Sequence, residues 1–121
     1  MVLIRRALLA ALATAVVLSA QQTEADFFEK QVEPVLGTCL PCHNEQLKSS
    51  GLALDTRDAV LRGGIRGQAA KPGHPDDSLL IQVLRYAEDD RQMPPRGKLD
   101  QEIIDAFVEW VKSGAVDPRG D

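Results

Sequence analysis

Apolar positions recur at helical spacing in three stretches of this chain, separated by polar runs rich in glycine and proline. The first stretch follows a helix-start signal at Thr23 and Asp26, with Phe27, Phe28, Gln31, Val32 and Val35 after it. Pro34 interrupts this pattern. It is expected to kink the helix, or to end its regular part near Glu33 and leave one last turn before Cys39, with Gly37 as a flexible break. The second stretch starts at Asp76 or Asp77, just after Pro75, and its stripe is Leu79, Leu80, Val83, Leu84 and Tyr86 or Ala87. The third takes Asp100 as its N-cap and closes at Gly114. Its apolar face is Ile103, Ile104, Phe107, Val108 and Val111, with Trp110 beside it.

Between the stretches, Asn44 to Gly51 reads as a polar loop, and Leu52, Leu54 and Thr56 as a short extended piece. Asp58 to Arg62 fits a helical turn ended by Gly63-Gly64, and residues 63–75 are irregular. Ala69-Ala70-Lys71 is expected to pair with Leu52–Leu54 as a minimal β-ribbon. Asp89-Asp90-Arg91 reads as a solvated exit, and Met93-Pro94-Pro95 as an extended loop, since each proline disfavours helix before it. The expected architecture is all-α, about three main helices joined by long loops. Loops of that length are unusual in a small domain unless something binds there.

The N-terminus changes the reckoning of length and charge. Arg5 and Arg6 precede an apolar run from Ala7 to Ala20, broken only by Thr14 and Ser19, which is the pattern of a secretory signal peptide. The run is shorter than the roughly 20 residues a membrane-spanning helix needs. Residues 1–20 are therefore expected to be removed, leaving 21–121 as a single exported, periplasmic domain with no membrane span. Loss of Arg5 and Arg6 takes the formal charge from −4 to −6. An acidic chain is a poor nucleic-acid binder, and a redox partner with basic patches suits it better. Aromatics are scarce, so a flat apolar cofactor would supply buried surface that a domain of this size lacks.

Cys39-Leu40-Pro41-Cys42-His43 supplies the chemistry for such a cofactor. In C-x-x-C-H, two thiols on one turn of chain reach the two vinyl groups of a haem, and the next histidine falls under the iron. A thiol–disulfide pair would normally sit in a βαβ pattern, which is missing here. A zinc site from Cys39, Cys42, His43 and His74 would lack the usual second ligand pair. Met93 is the one methionine left after leader removal, and its thioether suits the sixth position of haem iron. Its rivals are His74, on a loop between Gly73 and Pro75, and water or an open position.

Further stretches carry a resemblance. Asp26-Phe27-Phe28-Glu29-Lys30, Val32-Glu33-Pro34-Val35-Leu36 and the C-x-x-C-H run resemble the start of the planctomycete-type cytochrome c domain. Gly51-Leu52-Ala53-Leu54-Asp55, Gly63-Gly64, Pro72-Gly73-His74-Pro75 and Ser78-Leu79-Leu80 are similar to its middle. Met93-Pro94-Pro95, Leu99, Glu102-Ile103, Trp110-Val111 and Gly114-Ala115 are similar to its end, so the likeness spans residues 26–118. It implies a class I cytochrome c-like fold with one haem c, attached at Cys39 and Cys42. It further implies that His43 is the proximal iron ligand, that Met93 is the distal one, and that the first and last helices cross, bringing Phe27 or Phe28 near Trp110.

The expected function is a monomeric, one-electron carrier rather than an enzyme, serving a donor and an acceptor that the sequence does not name. Two other classes stay open. One is a peroxidase-like or gas-binding haem domain with an open sixth site. The other is a dedicated electron-donating module of an oxidoreductase complex.

Overall fold

Pro34 does not end the first helix; the helix widens to pass it. A computed structural model describes Val17 and residues 23–120, so the leader expected at 1–20 lies almost wholly outside the described residues. Residues 23–27 are helical and run into a π-helical turn over Phe28–Val32, which continues directly into α1, Glu33–Cys39. The N–H of Glu33 reaches back to Phe28 O rather than to Glu29 O. Pro34 then stands in the first turn of α1, where its missing N–H and fixed φ are tolerated. The kink expected at the proline is thus realised one turn earlier, as a π turn.

The next helix, α2, spans Arg57–Arg62. Thr56 caps it, its Oγ1 accepting from Ala59 N at 3.1 Å, so this residue ends the loop instead of extending a strand. A 3₁₀ turn at Pro75–Asp77 precedes α3, Leu79–Leu84, and the two are parted by Ser78 in an extended conformation. The second stretch is therefore two pieces rather than a single helix from Asp76. Ser78 is fully buried, yet its hydroxyl is paired twice, accepting from Lys71 N at 2.9 Å and donating to His74 O at 2.8 Å.

The last helix, α4, covers Gln101–Lys112 and buries Ile104, Phe107, Trp110 and Val111. Asp100 holds the N-cap position without a side-chain cap bond. Gly114, at φ +119°, closes the helix: Gly114 N bonds Val111 O at 3.1 Å and Ala115 N bonds Trp110 O at 2.9 Å. Those paired bonds are a Schellman ending.

No strand forms among the described residues, and the ribbon expected between 52–54 and 69–71 is not there. The polar groups concerned are satisfied elsewhere. Leu54 N bonds His43 O, and Ala69 O accepts from Leu80 N, both at 2.9 Å. The one bridge, Gly64 with Gly67, makes a tight turn tipped by Ile65 and Arg66. A Cβ on Gly63, whose φ is +71°, would run into the Gly67 carbonyl, and one on Gly64 would lie 2.6 Å from Ser50 O.

The core joins the two ends of the chain. Phe28 meets Trp110 with ring centroids 5.7 Å apart, and Phe107 meets Trp110 edge-on at 6.1 Å. Phe28 rather than Phe27 makes the contact. The tail then folds back over the pair. Trp110 Nε1 donates to Val116 O at 2.8 Å, and the Arg119 guanidinium sits 5.1 Å from the Phe28 ring centre. Arg119 also donates to Leu54 O at 2.7 Å and pairs with the buried Asp117 carboxylate at 2.6 Å. No helix among the described residues is long and apolar enough to cross a membrane.

Trp110→Ala removes the shared ring of this cluster, and it is expected to destabilise the protein by about 3–5 kcal/mol. Chemical denaturation checks this; a loss near zero would mean that the ends of the chain are held by something else.

Candidate haem site

The cysteine run starts on the last residue of α1 and keeps winding. Cys42 N and His43 N both reach Cys39 O, at 3.2 and 3.0 Å, so Cys39, Cys42 and His43 are carried by one continued turn of helix. Asn44 then sets the exit. Its Nδ2 donates to Leu40 O at 2.7 Å, while its Oδ1 accepts from Gln46 N and Leu47 N at 2.9 and 2.8 Å. Beyond it, Glu45 bonds Lys48 and Arg62, which hold its carboxyl below the usual value, and thereby links this loop to α2.

These residues open onto a cavity of about 390 Å³. Cys39, Cys42 and His43 lie on its wall, and so does Met93, together with Pro94 and Pro95. Leu52, Leu54, Leu79, Leu80, Val83 and Leu84 supply most of the remaining surface, as suits a large apolar ligand. His74 is exposed and is not on that wall. No cluster of three or more His, Cys, Asp or Glu able to hold a metal ion exists among the described residues, so the zinc alternative has no geometry behind it. Cys39 and Cys42 are free thiols. Burial pushes the Cys39 thiol up from its ordinary value, and a hydrogen bond with Thr38 opposes the shift.

The fit to haem rests on this donor set: two thiols, an imidazole and a thioether on one apolar cavity. His43 adds a buried Nδ1 without a hydrogen-bond partner. Two further residues belong to the wall that sequence patterns did not select. Arg91 was expected in a solvated exit, but it lies half-buried on the cavity, its buried Nε without a hydrogen bond. Arg66 reaches the same cavity from the tip of the Gly64–Gly67 turn. Asp89 and Asp90 beside Arg91 made it read as solvated, and Arg66 stood in an irregular stretch. In space Asp90 stands 4.0 Å from Arg66 and 3.6 Å from Arg91, which also pairs with Glu88 at 2.5 Å. Only the doubled glycines flanking Ile65-Arg66 could have signalled a close approach there.

A family model described as planctomycete cytochrome C matches residues 39–97. The matched stretch begins at the first cysteine and ends just past the Met93 loop, so it contains every wall residue named above. No curated protein and no solved structure matches the chain.

In the haem-free protein, alkylation followed by mass spectrometry should modify exposed Cys42 before Cys39, whose raised pKa leaves less reactive thiolate. Equal rates, or Cys39 first, would contradict this placement of the two thiols.

Proposed function

We propose that this chain, whose residues 39–97 match the planctomycete cytochrome C family model, is a mono-haem electron carrier of an exported electron-transfer chain. The observation that carries the reading is that Cys39, Cys42, His43 and Met93 share one apolar cavity. Cys39 and Cys42 would hold the haem through thioethers, and His43 and Met93 would be the two protein donors to its iron. Bound haem iron supplies a one-electron couple, and a His/Met pair raises its potential. Leu52, Leu54, Leu80 and Leu84 on the cavity wall would keep water from the bound group, which would further tune that potential. Arg66 and Arg91 are the cationic groups suited to the two propionate carboxylates.

The leader at 1–20 sends the domain of residues 21–121 out of the cytoplasm, where it works as a monomer between redox partner proteins. A peroxidase-like or gas-binding domain would require a distal base, and His74, the remaining histidine, is exposed and off the cavity wall. That favours carriage over turnover. Co-purification with one oxidoreductase from native membranes would instead favour a dedicated module of a complex.

Protein matured in a periplasm is expected to keep its haem absorbance after denaturation and organic extraction; complete extraction of the haem would sink the proposal. Met93→Ala is expected to lose the low-spin spectrum, lower the potential and bind carbon monoxide rapidly when reduced. An unchanged spectrum and potential would assign the sixth position to another group.

A further inference from the structure

The C-terminal end of α3 is closed by a residue type that its backbone conformation disfavours. Ala87 N bonds Gln82 O at 3.2 Å and Tyr86 N bonds Val83 O at 3.3 Å, the paired bonds of a Schellman ending. Glycine usually takes the position that turns the chain there, because φ must be positive. Here it is Tyr86, at φ +56°, so the side chain is carried out of the helical stripe at a steric cost that glycine would not incur.

That side chain has a use in the Met93 loop. The Tyr86 hydroxyl donates to the carbonyl of Pro94. Met93 N donates to Val83 O at 3.1 Å, on the same helix end. The methionine is therefore gripped on both sides from one anchor: its own N–H is held by Val83, and the next residue's carbonyl by Tyr86. Few other bonds are open to this loop. Pro94 and Pro95 have no N–H to donate, and the remaining bond to Pro94 O, from Gly97 N at 3.4 Å, lies within the loop itself. Water competes for the segment, since exposed Arg96 follows it and Met93 is 38 % exposed. Tyr86 is not on the cavity wall, whereas Met93 and Pro94 are. Its hydroxyl reaches the site only through Pro94.

We infer that Tyr86 is a positioning residue whose hydroxyl, through the Pro94 carbonyl, holds the Met93 sulfur in place on the cavity. The inference rests on the reading of Met93 as the sixth donor. It explains why a bulky residue occupies a left-handed position: glycine would close the helix more easily but would leave the loop with one grip instead of two.

Tyr86→Phe in the haem-loaded protein keeps the ring and removes only the hydroxyl. Carbon monoxide is expected to bind the reduced variant about fivefold faster, the scale of one net hydrogen bond. The ferric Met–iron charge-transfer absorption should weaken, and the Met93 amide should exchange faster with solvent. Tyr86→Gly is expected to loosen the loop at least as far, although it relieves the backbone. A side chain that only packs would leave carbon monoxide binding and the absorption of Tyr86→Phe at wild-type values, and that result overturns the inference. Met93→Ala, measured alongside, keeps the two failures apart. If it too behaves as wild type, the ligand reading itself is wrong; if it alone changes, only the role of Tyr86 falls.

Discussion

The packing of Phe28 against Trp110 joins the two ends of the described chain, and the loops around the cavity hang between those ends. It works because the first helix keeps Phe28, Val32 and Leu36 facing inward, all three fully buried. At 3.6 residues per turn, residues four apart drift by about 40° around an α-helix. The wider turn at Phe28–Val32 reduces that drift, so three residues spaced by four stay on one line. Pro34, which cannot donate to the carbonyl one turn back, makes the wider turn the favourable one. One proline thus sets how Cys39, at the far end of the helix, is delivered to the cavity.

Middle segments of the chain have little regular structure to stabilise them, and polar pairing takes its place. His43 O accepts from Leu54 N, Ser50 O from Ile65 N, and Val83 O from Met93 N. Each bond ties one wall segment of the cavity to another, so the wall is a chain of mutual backbone contacts rather than a sheet or a bundle. A wall of this kind lets apolar side chains line the interior while the backbone satisfies itself behind them. It also explains how a single buried serine, Ser78, can organise a whole loop: its hydroxyl is both donor and acceptor where no ladder exists.

The closing of the tail over the aromatic pair follows the same logic with charge. Arg119 gives up much of its water where it lies against the core, and it is compensated by the Asp117 carboxylate, the Leu54 carbonyl and the Phe28 ring together. A lone buried charge would be costly; a paired and hydrogen-bonded one is tolerated.

By itself the sequence determined what is local. Apolar spacing located the stripes of the first and last helices, Gly114 marked a helix end, and C-x-x-C-H together with Met93 named the candidate donors. Such features are legible because their physics operates within a turn or two of chain. Tertiary structure decided what depends on distant partners. Tyr86 looked like one more apolar position of a stripe, until the helix stopped and its hydroxyl met Pro94. Arg91 looked solvated because Asp89 and Asp90 precede it, and Arg66 lay in an irregular stretch without a pattern, yet both reach the cavity. The ribbon failed because Leu54 and Ala69 found other partners. Asp117 and Arg119 had no local pattern at all. Where a polar group finds its partner is settled by the whole fold, because satisfaction of a buried donor or acceptor is a condition on space and not on sequence.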